Sequence, residues 1–272
     1  MENIRVKRNT FEKQIKSMLK VDFRRMFTSR LFYISLSICL VAPILILVMT
    51  AMMDGSVSVD PQTGKETVIE GFDNVWQIIG TLSVSGVESE AAMSMGITAI
   101  CNMNLLYFGI AVLVCLFVAD DFRSGYVKNL FCVRSKKTNY VVSKTIVLFV
   151  GSVFLILAFF VGSLLGGSIA GLPYTMVGFN TANLIMCLLS KIFLALVFVP
   201  LYLVVSVAAK QRSWASLLAS CGAGALLFMM IPMLTPLNAT AMNVLLCLIG
   251  GVLFSVGLGA VSNVILKKTD LV

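Results

Sequence analysis

The sequence predicts an all-α polytopic membrane protein. Hydrophobic residues make up 58% of the 272-residue chain and charged residues 12%, against about a quarter charged in soluble domains. Uncharged apolar runs reach or pass the ~20 residues that a helix needs to cross a bilayer core. The runs are continuous, where a transmembrane β-barrel would show short alternating strands.

The first 30 residues carry nine Lys/Arg (Arg5, Lys7, Arg8, Lys13, Lys16, Lys20, Arg24, Arg25, Arg30) against three acids, Glu2, Glu12 and Asp22. Phe11, Ile15, Met18, Leu19, Phe23, Met26 and Phe27 recur at spacings of three and four, which predicts a helix with one apolar stripe and a cationic opposite face. Beside a membrane span, such a helix is expected to lie in the anionic headgroup layer rather than stand in solvent. The apolar run behind this hydrophilic tail, 23 residues long, exceeds the core of a cleaved signal peptide and reads as a retained span.

Two parts follow: a basic tail, residues 1–30, and a six-span membrane domain, residues 31–272. The spans are expected at about 31–53, 96–119, 145–170, 184–209, 213–231 and 241–265. Pro43 lies inside the first, a position that membrane helices tolerate with a kink. Between the first two spans, 54–95 holds seven acids and one base, Lys65; Pro61–Gly64 reads as a turn, and one short helix is expected around Phe72–Gly80. The charge map supports six crossings. The tail, the 120–144 loop, the Lys210–Arg212 turn and the C-terminal tail hold nine, six, two and two of the 21 Lys/Arg. Placed on one side, they put both termini in the cytoplasm of a cell-membrane protein.

Several chemistries are excluded. The chain has no histidine, which removes zincin motifs, Ser-His and Cys-His catalysis and haem ligation by His. Its seven cysteines, at 39, 101, 115, 132, 187, 221 and 247, form no C-x-x-C pair, which speaks against a disulfide framework or thiolate metal site. All Asp and Glu lie in loops or tails, unlike the intramembrane acids of ion-coupled carriers.

The loop Asp120–Lys144 is the most informative stretch. Asp120 and Asp121 suit the first turn of a new helix, where free N–H groups favour acids. Phe122, Tyr126, Val127, Leu130 and Phe131 fall at helical spacing, with Arg123 and Lys128 projecting elsewhere. Gly125 leaves room for backbone or a partner to approach, and a basic cluster, Arg134–Lys137, precedes the next span. The bland reading is a positive-inside loop whose aromatics rest on the bilayer.

The residue order favours another reading. Asp121-Phe122-Arg123-Ser124-Gly125 and Val127-Lys128-Asn129-Leu130 resemble the segment after the second span in permeases of the ABC type-2 transporter family, of the lantibiotic and bacitracin permease kind. Asp121 stands where Glu is more usual, and Tyr126 replaces a small hydroxyl residue. The resemblance implies that Asp120, Asp121, Phe122, Arg123, Gly125, Tyr126, Lys128 and Leu130 form a coupling helix docking on a cytoplasmic ABC ATPase. It also implies an exporter of peptides, antibiotics or other amphipathic compounds, working as a homodimer or with a related permease. No G-x-x-x-x-G-K-[ST] phosphate loop occurs in the chain, so ATP and Mg would be bound by the partner ATPase and no cofactor by this chain. The partners are then ATPase subunits, a second permease and the lipid bilayer, with no nucleic acid. The alternative is a polytopic scaffold or immunity protein without a transport cycle of its own.

Three further residues are candidates for a translocation path or for helix packing. Lys191 is the one ionisable residue in an apolar run; because Ile192–Ala209 alone is long enough to span, Lys191 is expected to snorkel at the outer interface, with Thr181–Ser190 as an interfacial helix. Asn102 and Asn104 are expected to hydrogen-bond a neighbouring helix in the second span. Gly162-x-x-x-Gly166 and the series Ala215, Ser216, Ala219, Ser220, Ala223 and Gly224 are small-residue faces for close helix packing, within one subunit or at a dimer seam.

Overall fold

The structure is a computed structural model of the whole chain; residues 2–59, 66–68, 71–80, 101–132, 137–175, 180–210, 212–228 and 230–268 are described, with side chains before residue 14 excluded. The described residues form nine helices, with a small ribbon and two 3-10 turns. They are α1 (Glu2–Thr28), α2 (Arg30–Met53), α3 (Leu106–Arg123), α4 (Tyr126–Cys132), α5 (Lys137–Ala170), α6 (Thr181–Ala209), α7 (Ser213–Phe228), α8 (Met230–Leu234) and α9 (Ala241–Lys268). Between α2 and α3, β1 (Val57–Val59) pairs antiparallel with β2 (Glu66–Val68), Val57 opposite Val68; the expected Pro61–Gly64 turn lies outside the described residues. The short helix expected near Phe72–Gly80 is a 3-10 turn over Val75–Ile78, capped by the Asn74 side chain.

Among the described residues, five helices are long and apolar enough to cross a membrane: α2, the 21-residue stretch Met103–Arg123, α5, α6 and α9. The expected fifth span is covered by a 16-residue α7 and by α8, with residue 229 between them outside the described residues. The expected second span also begins later, since regular helix starts at Leu106 after a 3-10 turn at Met103–Leu105. α5 begins at Lys137, two turns before the expected 145, and so carries Tyr140 and Lys144 into the packed bundle.

Packing follows the small residues. A Cβ on Gly162 would collide with the Leu40 carbonyl oxygen, and one on Gly166 would lie 2.8 Å from Ile44 Cα. The Gly-x-x-x-Gly face of α5 therefore seats α2 of the same chain, the two helices running parallel. α7 uses the other series by halves: Ser216, Ser220 and Gly224 are buried while Ala215 and Ala219 are exposed. Ser216 hydrogen-bonds Ser206 of α6 at 2.8 Å, and Cys115 of α3 donates to Ser220 at 3.1 Å. Such interhelical polar contacts each contribute about 1 kcal/mol in a membrane.

α3 and α6 form the middle of the bundle. In α3 the most hydrophobic window is 67% buried, against 11% in α9, so α9 lies on the outside, held to α6 by Ser255 donating to the Leu196 carbonyl at 2.7 Å. α5 ends in a glycine cap: Gly171 has φ +70° and the Leu172 N–H reaches back to the Gly167 carbonyl at 3.1 Å. The turn after it receives the acidic loop, since Trp76 Nε1 donates to Tyr174 O and Asn74 Nδ2 to Thr175 O, both at 2.7 Å.

Gly162→Leu is expected to lower stability by at least about 1–3 kcal/mol through overpacking, measured by thermal unfolding in detergent. Gly222→Ala, where an added Cβ meets nothing within 4 Å, is expected to leave the midpoint unchanged.

Candidate functional site

The charged residues of α1, α3 and α5 meet in one buried cluster at the end of the bundle that carries the basic segments. Met18, Asp22 and Met26 are spaced by four along α1 and all are buried, so the acid sits within the apolar stripe. On α5, Tyr140, Ser143 and Lys144 share one face and are fully buried. Asp121 reaches the same place from the last turn of α3, also with no exposure. Lys144 Nζ bridges the two acids, 2.9 Å from Asp22 Oδ1 and 2.6 Å from Asp121 Oδ2. Arg25 Nη1 donates to Asp121 Oδ1 at 2.5 Å, while its other nitrogen faces Asp120, 68% exposed, at 3.6 Å.

Hydroxyl groups complete the shell. Ser143 donates to Asp22 at 2.6 Å, Tyr140 to Asp121 at 3.0 Å, and Tyr126 of α4 to Asp22 at 3.3 Å. The cations also lie over aromatic rings, Arg25 4.2 Å from the Tyr126 centroid and Lys144 4.4 Å from that of Phe117. With two buried carboxylates against one ammonium and one guanidinium, the cluster is neutral, the condition under which ions survive removal from water. Burial, reinforced by Asp22 and Asp121 and opposed by Arg25, pushes the Tyr126 phenol up to about 12. The phenol therefore stays protonated and remains a donor.

This geometry corrects the reading of the acids. Asp120 and Asp121 do not open a new helix; they close α3. Acids are disfavoured at a helix C-terminus by the macrodipole, and here Arg25 and Lys144 offset that cost. The separate short helix is α4, joined to α3 through Gly125 at φ +72°. A Cβ there would meet nothing within 4 Å, so glycine is needed for the backbone angle, not for close packing. α4 is rooted by Val127, fully buried, and by Tyr126, while Phe131 stacks edge-on to Tyr140 at 6.0 Å. Phe122 is buried and Leu130 half-buried, whereas Arg123, Ser124, Lys128 and Asn129 are exposed.

From Met18 to Phe27 the apolar stripe of α1 is likewise buried or half-buried against protein. Met26 packs against Gly151, Phe27 against Phe154, both on α5. Of the cluster, the sequence pattern singled out only Asp120, Asp121 and Tyr126 as site residues; it missed Asp22, Arg25, Tyr140, Ser143 and Lys144. The detectable signal was an acid interrupting an apolar stripe at Met18-Asp22-Met26.

The second polar site lies at the opposite end of α3. Lys191 is 1% exposed, which overturns the expectation that it snorkels. α6 runs unbroken from Thr181, so there is no separate interfacial helix and Lys191 falls in the third turn of a packed helix. Its Nζ donates to Asn104 Oδ1 at 2.6 Å and to Thr235 Oγ1 at 3.1 Å, and Tyr107 donates to its backbone carbonyl at 2.8 Å. Asn104 thus makes the expected interhelical bond, and the Asn102 side chain caps the 3-10 turn by accepting from the Asn104 N–H at 2.9 Å. Among the described residues no cluster of three or more Cys, Asp or Glu converges as a metal centre.

Lys144→Met is expected to cost about 3–5 kcal/mol, because it strands a buried carboxylate. Adding Asp22→Asn restores charge balance and should recover part of that loss in a thermal-unfolding double-mutant cycle; additive losses would contradict a coupled cluster.

Comparison with known proteins agrees with this layout. The model of the ABC-2 family transporter protein family matches residues 18–222, from within α1 to within α7, taking in the whole ion cluster, α4 and Lys191. No curated protein and no solved structure matches the chain. With helices built to cross a membrane and three quarters of its length matched, the chain belongs to the ABC-2 transporter family of membrane proteins.

Proposed function

We propose that the chain is the permease subunit of an ABC exporter, paired with a second permease and driven by two separate ATPase chains in the cell membrane. The observation that carries this reading is the construction of α4. With the end of α3 before it, α4 presents exposed Arg123, Ser124, Lys128 and Asn129, while Tyr126 bonds its inner face to a buried ion cluster joining α1, α3 and α5. A push on so short a helix reaches three long ones at once, which is what rigid-body switching of a helical bundle requires. The motor is a separate polypeptide, in keeping with the missing phosphate loop.

Six crossings fit the same reading. α7 alone would extend about 24 Å, while the helical residues of α7 and α8 add up to about 32 Å at 1.5 Å per residue, enough for a bilayer core. The basic segments at both ends and at α4 then share the cytoplasmic face. An amphipathic cargo moved outward is the substrate class in keeping with the lantibiotic and bacitracin permease resemblance.

The test is capture of the ATPase. Arg123→Glu with Lys128→Glu, both on the exposed side, is expected to reduce ATPase co-purifying with the tagged chain from its native host at least about tenfold, identified by mass spectrometry, with an unchanged melting profile. Undiminished capture would contradict docking through α4.

A further inference from the structure

We propose that the seam between α7 and the neighbouring helices α3 and α6 is a binding cleft for the uncharged, hydrogen-bonding part of an amphipathic molecule, an amide or ester carbonyl docked by the Tyr202 phenol. That this molecule is transported cargo rests on the permease reading above; the cleft itself does not.

The first observation is that α7 turns its polar side inward. Among its described residues the wholly buried ones are Ser216, Ser220 and Gly224, spaced by four along about 12 Å of helix. Leu218 and Leu226, by contrast, are 72% and 84% exposed. Across the seam Ser206 of α6 bonds Ser216 at 2.8 Å, and Cys115 of α3 donates to Ser220 at 3.1 Å. Small polar residues also serve plain helix packing, so the stripe by itself assigns no ligand.

The second observation supplies one. Tyr202, one turn before Ser206 on α6, is fully buried, and its hydroxyl has no hydrogen-bond partner among the described residues. It is aimed into the stripe: a Cβ on Gly224 would lie 2.5 Å from the phenol oxygen. A buried hydroxyl left unpaired costs free energy, and phenylalanine would fill the same space without that cost. The phenol therefore offers a donor to whatever parts the seam. The side chains around it are hydroxyls and a thiol, which offer an ion no opposite charge, so a neutral carbonyl is the acceptor that suits them.

The third observation shows how the seam can part. α6 leads to α7 through Lys210, the one described non-glycine residue with positive φ, at +56°. Side chains with a Cβ rarely adopt that conformation, and such strain collects at switch regions. The Arg212 N–H closes the corner on the Ala209 carbonyl at 3.2 Å. Relaxing the corner would tilt α7 as a unit and open the end of the seam that holds Gly224 and Tyr202.

The test is photolabelling of the full chain in nanodiscs with N-lauroylglycinamide carrying a diazirine in its acyl chain, the labelled positions being mapped by mass spectrometry. Labelling is expected on 198–209 and on the buried side of α7, while a dodecyl diazirine without the amide should label only the lipid-facing side. Tyr202→Phe is expected to reduce seam labelling about tenfold, the loss of one hydrogen bond, with a melting temperature at or above that of wild type. Ser206→Cys with Ser216→Cys, oxidised by copper phenanthroline, should abolish seam labelling and dithiothreitol should restore it, with wild type indifferent to both. Seam labelling unchanged in both variants would overturn the proposal, as would labelling confined to the side of Leu218 and Leu226. So would a Tyr202→Phe chain that melts lower and labels like wild type, the mark of a purely structural phenol. ATPase capture through α4 is a separate readout. Seam labelling in a chain that captures no ATPase would support the cleft and contradict the permease reading, and the reverse would contradict the cleft alone.

Discussion

Everything at the basic end of this protein depends on pairing three fully buried charges with one another and with the partly exposed Arg25. Asp22, Arg25, Asp121 and Lys144 come from three different helices, and none has a complete set of partners on its own helix. Breaking any pair leaves a buried charge uncompensated, at a cost of several kcal/mol. The helices are therefore held in one arrangement more firmly than apolar contact alone would hold them, since lipid tails are as apolar as the side chains they would replace. α4 adds to this node through Tyr126, whose phenol remains a donor.

α3 connects that node with the one at Lys191. Asn104 and Asp121 lie 17 residues apart, about 25 Å along a helix. At one end α3 is bonded to α1 and α5, and at the other, through Tyr107, to α6, whose Lys191 also holds Asn104 and Thr235. Between the nodes its contacts are apolar or weakly polar, with Cys115 on Ser220 as the polar exception.

Much of the fold was legible because lipid leaves few options: long apolar runs must be helices, and the starts and ends of α2, α6 and α9 fall within a few residues of expectation. That a short helix lies in the 120–144 loop was legible from aromatic spacing, but its start was placed at Asp120, before the Gly125 corner that separates it from α3. The ion cluster was not, because its members look like loop or tail residues. Lys144 follows a basic stretch and reads as one more positive-inside charge, until α5 is found to begin at Lys137. Lys191 was misread for the complementary reason: enough apolar residues follow it for a span to start later, and only the facing Asn104 and Thr235 show why the helix continues through it. The Asp120–Asp121 pair shows the limit of local rules. One acid is exposed and its neighbour wholly buried, a difference set by tertiary partners alone.

The central claim, that one buried ion cluster holds α1 and α4 to the bundle together, is tested most directly by hydrogen–deuterium exchange of the full chain in nanodiscs, comparing wild type with Asp121→Asn. The expected result is faster exchange in both 20–28 and 126–132, with 151–170 unchanged. Loss of protection confined to 126–132, with 20–28 as protected as in wild type, would contradict it.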